Sequence, residues 1–132
     1  VGALILFDLN GFKQINDHWG HAAGDACLVA FGERLRRAFP HARLVSRIGG
    51  DEFAVLLPPL GSHSKTKREV RWLTRSLLGP VPWNGDHLPI SASVGIAFAS
   101  GTAELDPQQL FVTADRELYQ AKRAASAGLA YA

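Results

Sequence analysis

Two carboxylates, Asp8 and Asp51, stand where the chain has reason to hold them rigidly. Asp8 closes the apolar run "GALILF" at residues 2–7; Asp51 and Glu52 follow the glycine pair Gly49–Gly50 and precede the apolar run "FAVLL". If the two apolar runs are neighbouring strands, Asp8 and Asp51 meet at one edge of a sheet. Hard oxygen ligands in such a group suit Mg²⁺, which keeps several waters and bridges to substrate phosphates. An ion held there polarises a phosphoryl group and lowers the pKa of an attacking hydroxyl. A second reading stays open at this point, in which Asp8 only caps the following helix and Asp51 only serves a turn.

The elements that would position these groups can be read from pattern. "VGALILF" has no polar alternation, as expected of a central strand covered on both faces. Asn10 and Gly11 break it and open a short helix running to about Trp19. "GHAAGD" (20–25) reads as a small-residue loop. From Asp25, apolar Leu28, Phe31, Leu35 and Phe39 recur at helical spacing, with Glu33, Arg34, Arg36 and Arg37 on the other side, until Pro40 stops the helix. "RLVSRI", the glycine pair and "EFAVLL" read as strand, tight turn, strand. Residues 64–78 suit a helix with Val70, Leu73 and Leu77 inward and a basic outer face. "NGD" (84–86) is another hairpin signal, and "LPISASVGIAFA" (88–99) reads as one long strand with Gly95 as a bulge or point of close approach. Asp106 and Pro107 open a last helix whose inner stripe is Leu110, Ala114, Leu118 and Ala121. This order predicts an α+β domain, with helices packed on a mixed, mostly antiparallel sheet of about five strands.

The bulk composition bounds the function. The chain has 132 residues, the length of one domain, and is 47% hydrophobic and 20% charged, as globular soluble domains are. No apolar run approaches the roughly 18–20 residues that span a bilayer, so no membrane contact by this domain is expected. The formal net charge of +2 is too small to argue nucleic-acid binding. The single Cys27 excludes an internal disulfide and a Cys-rich zinc cluster, and fits a reducing, cytoplasmic setting. Val1 falls directly inside a strand pattern and no Met is present, so 1–132 is expected to be one domain cut from a longer polypeptide.

Four stretches, in order, resemble one family. "GGDEF" (49–53) is the signature of the GGDEF family, the diguanylate cyclases. "FDLNGFKQINDHWGHAAGD" (7–25) resembles the family's first motif, "ISASVGIA" (90–97) its later strand, and "ADRELYQAKRA" (114–124) its last helix. The resemblance covers nearly the whole chain. It implies a fold like the palm of nucleotidyl cyclases and polymerases. It also implies an activity: condensation of two GTP into cyclic di-GMP with release of pyrophosphate, in a two-fold dimer of domains using Mg²⁺ or Mn²⁺. An upstream sensor or regulatory domain in the same chain is the expected controller.

Roles carry over by position. The resemblance makes Asp8, Asp51 and Glu52 metal ligands, joined by the Leu9 carbonyl. It gives Asp51 the activation of the 3′-hydroxyl and Glu52 a second catalytic or metal role. It makes Asn16 and Asp25 the readers of guanine, whose N1–H and N2–H₂ donors suit a carboxylate. Gly11, Phe12 and Lys13 become the phosphate-holding turn at a helix start. Lys122 becomes a phosphate contact, and Gly49 and Gly50 a tight turn that leaves room for the nucleotide. Without the resemblance, Asn16 and Asp25 read as local caps and Lys122 as a solvated lysine. The chain also departs from the family. "PHAR" (40–43) stands where an inhibitory Arg-x-x-Asp often lies, and Ser126 stands where an arginine that contacts phosphates is expected. The second departure supports an alternative, a degenerate GTP-binding module that regulates a partner domain without turnover.

Overall fold

The computed structural model describes residues 2–59, 61–99 and 106–126. Strand β1 (Ala3–Asn10) is apolar throughout because both of its faces are covered. Successive side chains of a strand point to opposite faces. Ala3, Ile5, Phe7 and Leu9 therefore pack in one cluster with Ile15, Phe31, Leu35 and Val70. Leu4 and Leu6 pack in a second cluster with Ala54, Ala97, Leu110, Ala114 and Leu118. The next residue on that second face is Asp8.

Helices α1 (Phe12–Trp19), α2 (His21–Ala38) and α3 (His63–Ser76) supply the first cluster, and α4 (Pro107–Ser126) supplies the second. Strands β2 (Leu44–Gly49), β3 (Glu52–Leu57) and β6 (Ser91–Phe98) join β1 in a four-stranded sheet of order β2-β3-β1-β6. Every neighbouring pair is antiparallel, so the sheet is not mixed as the pattern suggested. Strands β4 (Val81–Trp83) and β5 (Asp86–Leu88) form a separate hairpin around Asn84–Gly85. The expected long strand from Leu88 is split at Pro89–Ile90. Proline has no N–H to give a ladder, so Leu88 stays with the hairpin and Ser91 starts the main sheet.

Helix α2 differs from expectation in two ways. α2 begins at His21, not Asp25, so the small residues read as a loop form its first turns. Gly24 and Gly32 each cost α2 about 1 kcal/mol of helix propensity. Burying Leu28, Phe31 and Leu35 offsets this at ~1.5–3 kcal/mol per side chain. Arg34 does not take the solvent face. Its guanidinium donates to the carbonyls of Leu77 (2.9 Å), Gly79 and Pro80 (3.0 Å), tying α2 to the end of α3.

α4 follows expectation. Asp106 Oδ1 accepts the N–H of Gln108 at 3.0 Å and caps it. Gly95 is the point of close approach: a Cβ there would overlap the Ala114 carbonyl, so α4 lies backbone to backbone on β6. Leu110, Ala114 and Leu118 recur every four residues on the buried face, and Lys122 is the next position in that stripe.

Candidate active site

The apolar face shared by β1 and α4 ends in charge. Asp8 terminates the stripe on β1, Lys122 terminates the stripe on α4, and Lys122 Nζ donates to Asp8 Oδ2 at 2.7 Å. On either side of Asp8, in register, stand Glu52 of β3 and Ser93 of β6. The pairing of β1 with β3 is the adjacency that the sequence left open, and it brings Asp8 and Glu52 to one face of one sheet edge.

The turn between β2 and β3 holds Asp51 beside them. Gly49 pairs with Glu52, so the two turn residues are Gly50 and Asp51 rather than the glycine pair. Gly50 has φ 43°, a left-handed conformation that other residues resist. Its carbonyl accepts from Arg47 Nε at 2.8 Å, and the Asp51 carbonyl accepts from the Leu9 N–H at 3.1 Å. Nothing lies within 4 Å of where a Cβ would sit on Gly49 or Gly50, so the space over the turn is open.

The electrostatics follow from this crowding. Burial raises the Asp8 carboxyl above its ordinary value. The Lys122 hydrogen bond pulls it back, and the Asp51 charge pushes it up again. Glu52 is raised by burial first, then by Asp8, Asp115 and Asp51. One oxygen of each carboxylate, Asp8 Oδ1 and Glu52 Oε1, is buried without a hydrogen-bond partner. Unpartnered, mutually repelling carboxylate oxygens are a donor set that a hard divalent cation satisfies. Among the described residues, no three His, Cys, Asp or Glu side chains close into a ligand cluster of their own. An ion that takes waters, a backbone carbonyl and phosphate oxygens beside one or two carboxylates fits this edge best. Leu9 buries its side chain in the helical core, so only its backbone faces the site.

The other predicted residues flank this edge. Gly11, φ 68°, is the N-cap of α1, and no side chain caps that terminus. The N–H groups that open a helix have no partner within it, so those of Phe12 and Lys13 are left for a ligand or water. Asn16 lies inside α1 and Asp25 inside α2, so neither is a cap. Gly24 seats Asn16 against α2: a Cβ on Gly24 would overlap Asn16 Oδ1, and the exposed Asp25 is the next residue of that helix. Asp8 caps nothing either, since its partner is Lys122. Ser126 closes α4, and its side chain lies outside the described residues.

Sequence reasoning missed Asp115, Ser93 and Asn10. Asp115 is two turns before Lys122 on α4, a spacing that signals a shared face. Ser93 Oγ donates to Asn10 Oδ1 at 3.0 Å and fixes the strand end beside Asp8. An open cavity of about 670 Å³ lies along α1 between Gln14, Ile15, His18 and Ile90; of the predicted site residues, it touches only Gly11.

The sequence matches, over residues 1–127, the family described as "Diguanylate cyclase, GGDEF domain". The chain belongs to the GGDEF family. Diguanylate cyclase TpbB of Pseudomonas aeruginosa is 40% identical over 124 residues, which is 93% of this chain and 28% of that protein. The solved GGDEF domain of TpbB superposes with TM-score 0.81 at 40% identity, covering 92% of this chain and 75% of that one. The GGDEF domain of DgcB from Caulobacter crescentus, solved in complex with c-di-GMP, gives 0.80 at 25% identity over 92% and 72% of the two chains. The fold is thus the α+β, palm-like fold of GGDEF cyclase domains. The chain spans under a third of the TpbB protein's length. No helix among the described residues is long and apolar enough to cross a membrane.

Proposed function

We propose that this domain is a diguanylate cyclase, cytoplasmic and controlled by a sensor elsewhere in its polypeptide. One observation carries the reading. Two carboxylates with orphaned oxygens, Asp8 and Glu52, meet beside Lys122 and the Asp51 turn, and α1 opens uncapped four residues after Asp8. That edge pairs a cation site with an anion site, as binding a nucleoside triphosphate requires.

The chain's own residues then have separable tasks. The N–H groups from Gly11 to Lys13 hold phosphate oxygens. Asp25 accepts the N1–H and N2–H₂ donors of guanine, and the Asn16 amide bonds its edge. Adenine would leave the Asp25 carboxylate without those donors, which is a strong basis for discrimination. Gly49 and Gly50 leave the nucleotide room over the turn. Asp8, Asp51 and Glu52, with the Leu9 carbonyl, would hold Mg²⁺ or Mn²⁺, which when bound would polarise the α-phosphate and lower the pKa of the attacking hydroxyl.

Two domains meet antiparallel about a two-fold axis, each with one GTP. Asp51 takes the proton of a 3′-hydroxyl. That oxygen bonds to the α-phosphorus held by the partner domain as pyrophosphate leaves. Both halves reacting turn two GTP into cyclic di-GMP and two pyrophosphates. Catalysis here is mostly positioning and charge neutralisation. Product inhibition through residues 40–43 is not expected, because "PHAR" lacks the acidic partner.

The test is incubation of an artificially dimerised domain with GTP and Mg²⁺ or Mn²⁺, with chromatography for cyclic di-GMP. Wild type makes product and Asp51→Asn does not. The second reading, a GTP-binding regulatory module without turnover, is favoured by Ser126 at the arginine position. GTP binding with no product from wild type would establish it over the first.

A further inference from the structure

We propose that Lys122 is the resident counter-ion of the Asp8–Glu52 edge and must leave Asp8 before a divalent cation can load, so that metal and polyphosphate bind as a coupled pair. This rests on the reading above, in which Asp8 and Glu52 hold the metal.

The charge arrangement points there. Lys122–Asp8 is the one ion pair among the described residues, and it faces a crowd of acids. Asp51 and Lys122 act on Asp8; Asp8, Asp115, Asp51 and Lys122 act on Glu52. One ammonium therefore serves several carboxylates. It does so incompletely, because Asp8 Oδ1 and Glu52 Oε1 stay buried and unpartnered even with Lys122 in place. A divalent cation drawn to those oxygens would stand within a few ångströms of the ammonium. Two positive charges that close, partly shielded from water, oppose each other strongly.

The geometry also lets the ammonium move. The Asp8 side chain is 12% exposed and fixed on a central strand, whereas the Lys122 side chain is 37% exposed and stands just before the last turn of α4. Lysine carries a compact charge on a flexible four-carbon stem. Triphosphate oxygens at the α1 N-terminus give that charge a second anionic partner. The exchange balances: Asp8 trades an ammonium for a metal ion, and Lys122 trades a carboxylate for a phosphate. Metal alone pays the repulsion in full, while metal with polyphosphate does not. Coupling of this kind is reciprocal, so metal tightens nucleotide by the factor that nucleotide tightens metal.

The experiment measures Mn²⁺ binding to the purified domain at pH 8, by the paramagnetic resonance signal of free Mn²⁺, with and without a non-hydrolysable GTP analogue. Lys122→Gln is expected to bind Mn²⁺ about tenfold tighter than wild type without nucleotide, within the usual range of site-to-site coupling. Its affinity gain on adding the analogue shrinks accordingly. Lys122→Arg, which keeps the charge, stays as weak as wild type. Lys122→Met, which keeps the apolar stem, repeats the Gln result and separates charge from packing. Equal or weaker Mn²⁺ binding by both Gln and Met variants overturns the proposal. Asp8→Asn tells this failure from a deeper one: if it binds Mn²⁺ as wild type does, the metal is not at Asp8 and the site reading itself falls.

Discussion

Replacing Gly24 with alanine separates the fold from the proposed guanine site. Gly24 is buried inside α2, where alanine is favoured over glycine by about 1 kcal/mol. The new Cβ would overlap Asn16 Oδ1 and lie 3.3 Å from Phe12 Cε1. The first neighbour is the tip of a half-buried side chain, which can rotate away; the second must yield by a few tenths of an ångström. The propensity gain and the packing cost nearly cancel, so the melting temperature should stay within about 3 °C of wild type. Asn16, however, leaves its place over Gly24. If its amide bonds guanine, the loss is one or two hydrogen bonds, about 1–3 kcal/mol, or roughly a 5- to 150-fold weaker GTP affinity. Titration calorimetry with GTP and ATP, beside a thermal melt, reads both effects. ATP binding should hardly change, so the preference for GTP narrows. Gly24→Ala in the Asn16→Ala background should then add little, because the group it displaces is already gone. An unchanged GTP affinity in a stable Gly24→Ala protein would refute the assignment of Asn16.

Other outcomes follow from the same packing and charge. Glu52→Gln removes a buried charge with an unpartnered oxygen, and should stabilise the metal-free domain by about 1 kcal/mol at neutral pH, read by urea unfolding in chelator. The wild-type pH profile has a definite sign. The native Glu52 carboxyl titrates above its ordinary 4.5, so between the two values the folded state holds a proton that the unfolded state has released. Metal-free stability therefore falls as pH rises through that interval and levels off above it, and Glu52→Gln flattens the fall. Gly95→Ala forces a Cβ against the backbone of α4, which cannot rotate away; a loss of about 3 kcal/mol or more is expected in denaturant melts. Arg34→Ala strips the charged donor from the carbonyls of Leu77, Gly79 and Pro80, and should cost about 1–3 kcal/mol in the same melts.

Local signals were legible in the chain and non-local pairings were less so. The unbroken apolar run of β1, the glycine break before α1, the Asp106 cap and the close approach at Gly95 each follow from a few adjacent residues, and each is present. The start of α2 was hidden because Gly20 and Gly24 bracket its first residues and read as a loop. Only the need to seat Asn16 over Gly24 explains glycine inside a helix there. The antiparallel placement of β6 beside β1, and the split at Pro89, depend on where the chain returns rather than on local pattern. The candidate site shows the same division. Its acids were visible as types, and the resemblance named their roles, but the Asp8–Glu52 pairing needs β1 beside β3. Lys122 meets Asp8 across 114 positions, which no periodicity reveals. Asp115 was findable from its spacing to Lys122.

The central claim is condensation between two facing domains, and the dependence of rate on protein concentration tests it most directly. With GTP and Mn²⁺ saturating and the domain kept monomeric at low concentration, cyclic di-GMP formation should rise with the square of domain concentration, with two pyrophosphates released per product. Asp51→Asn should abolish both signals. A rate that is first-order in domain throughout that range, or pyrophosphate released without cyclic di-GMP, would contradict the two-domain account.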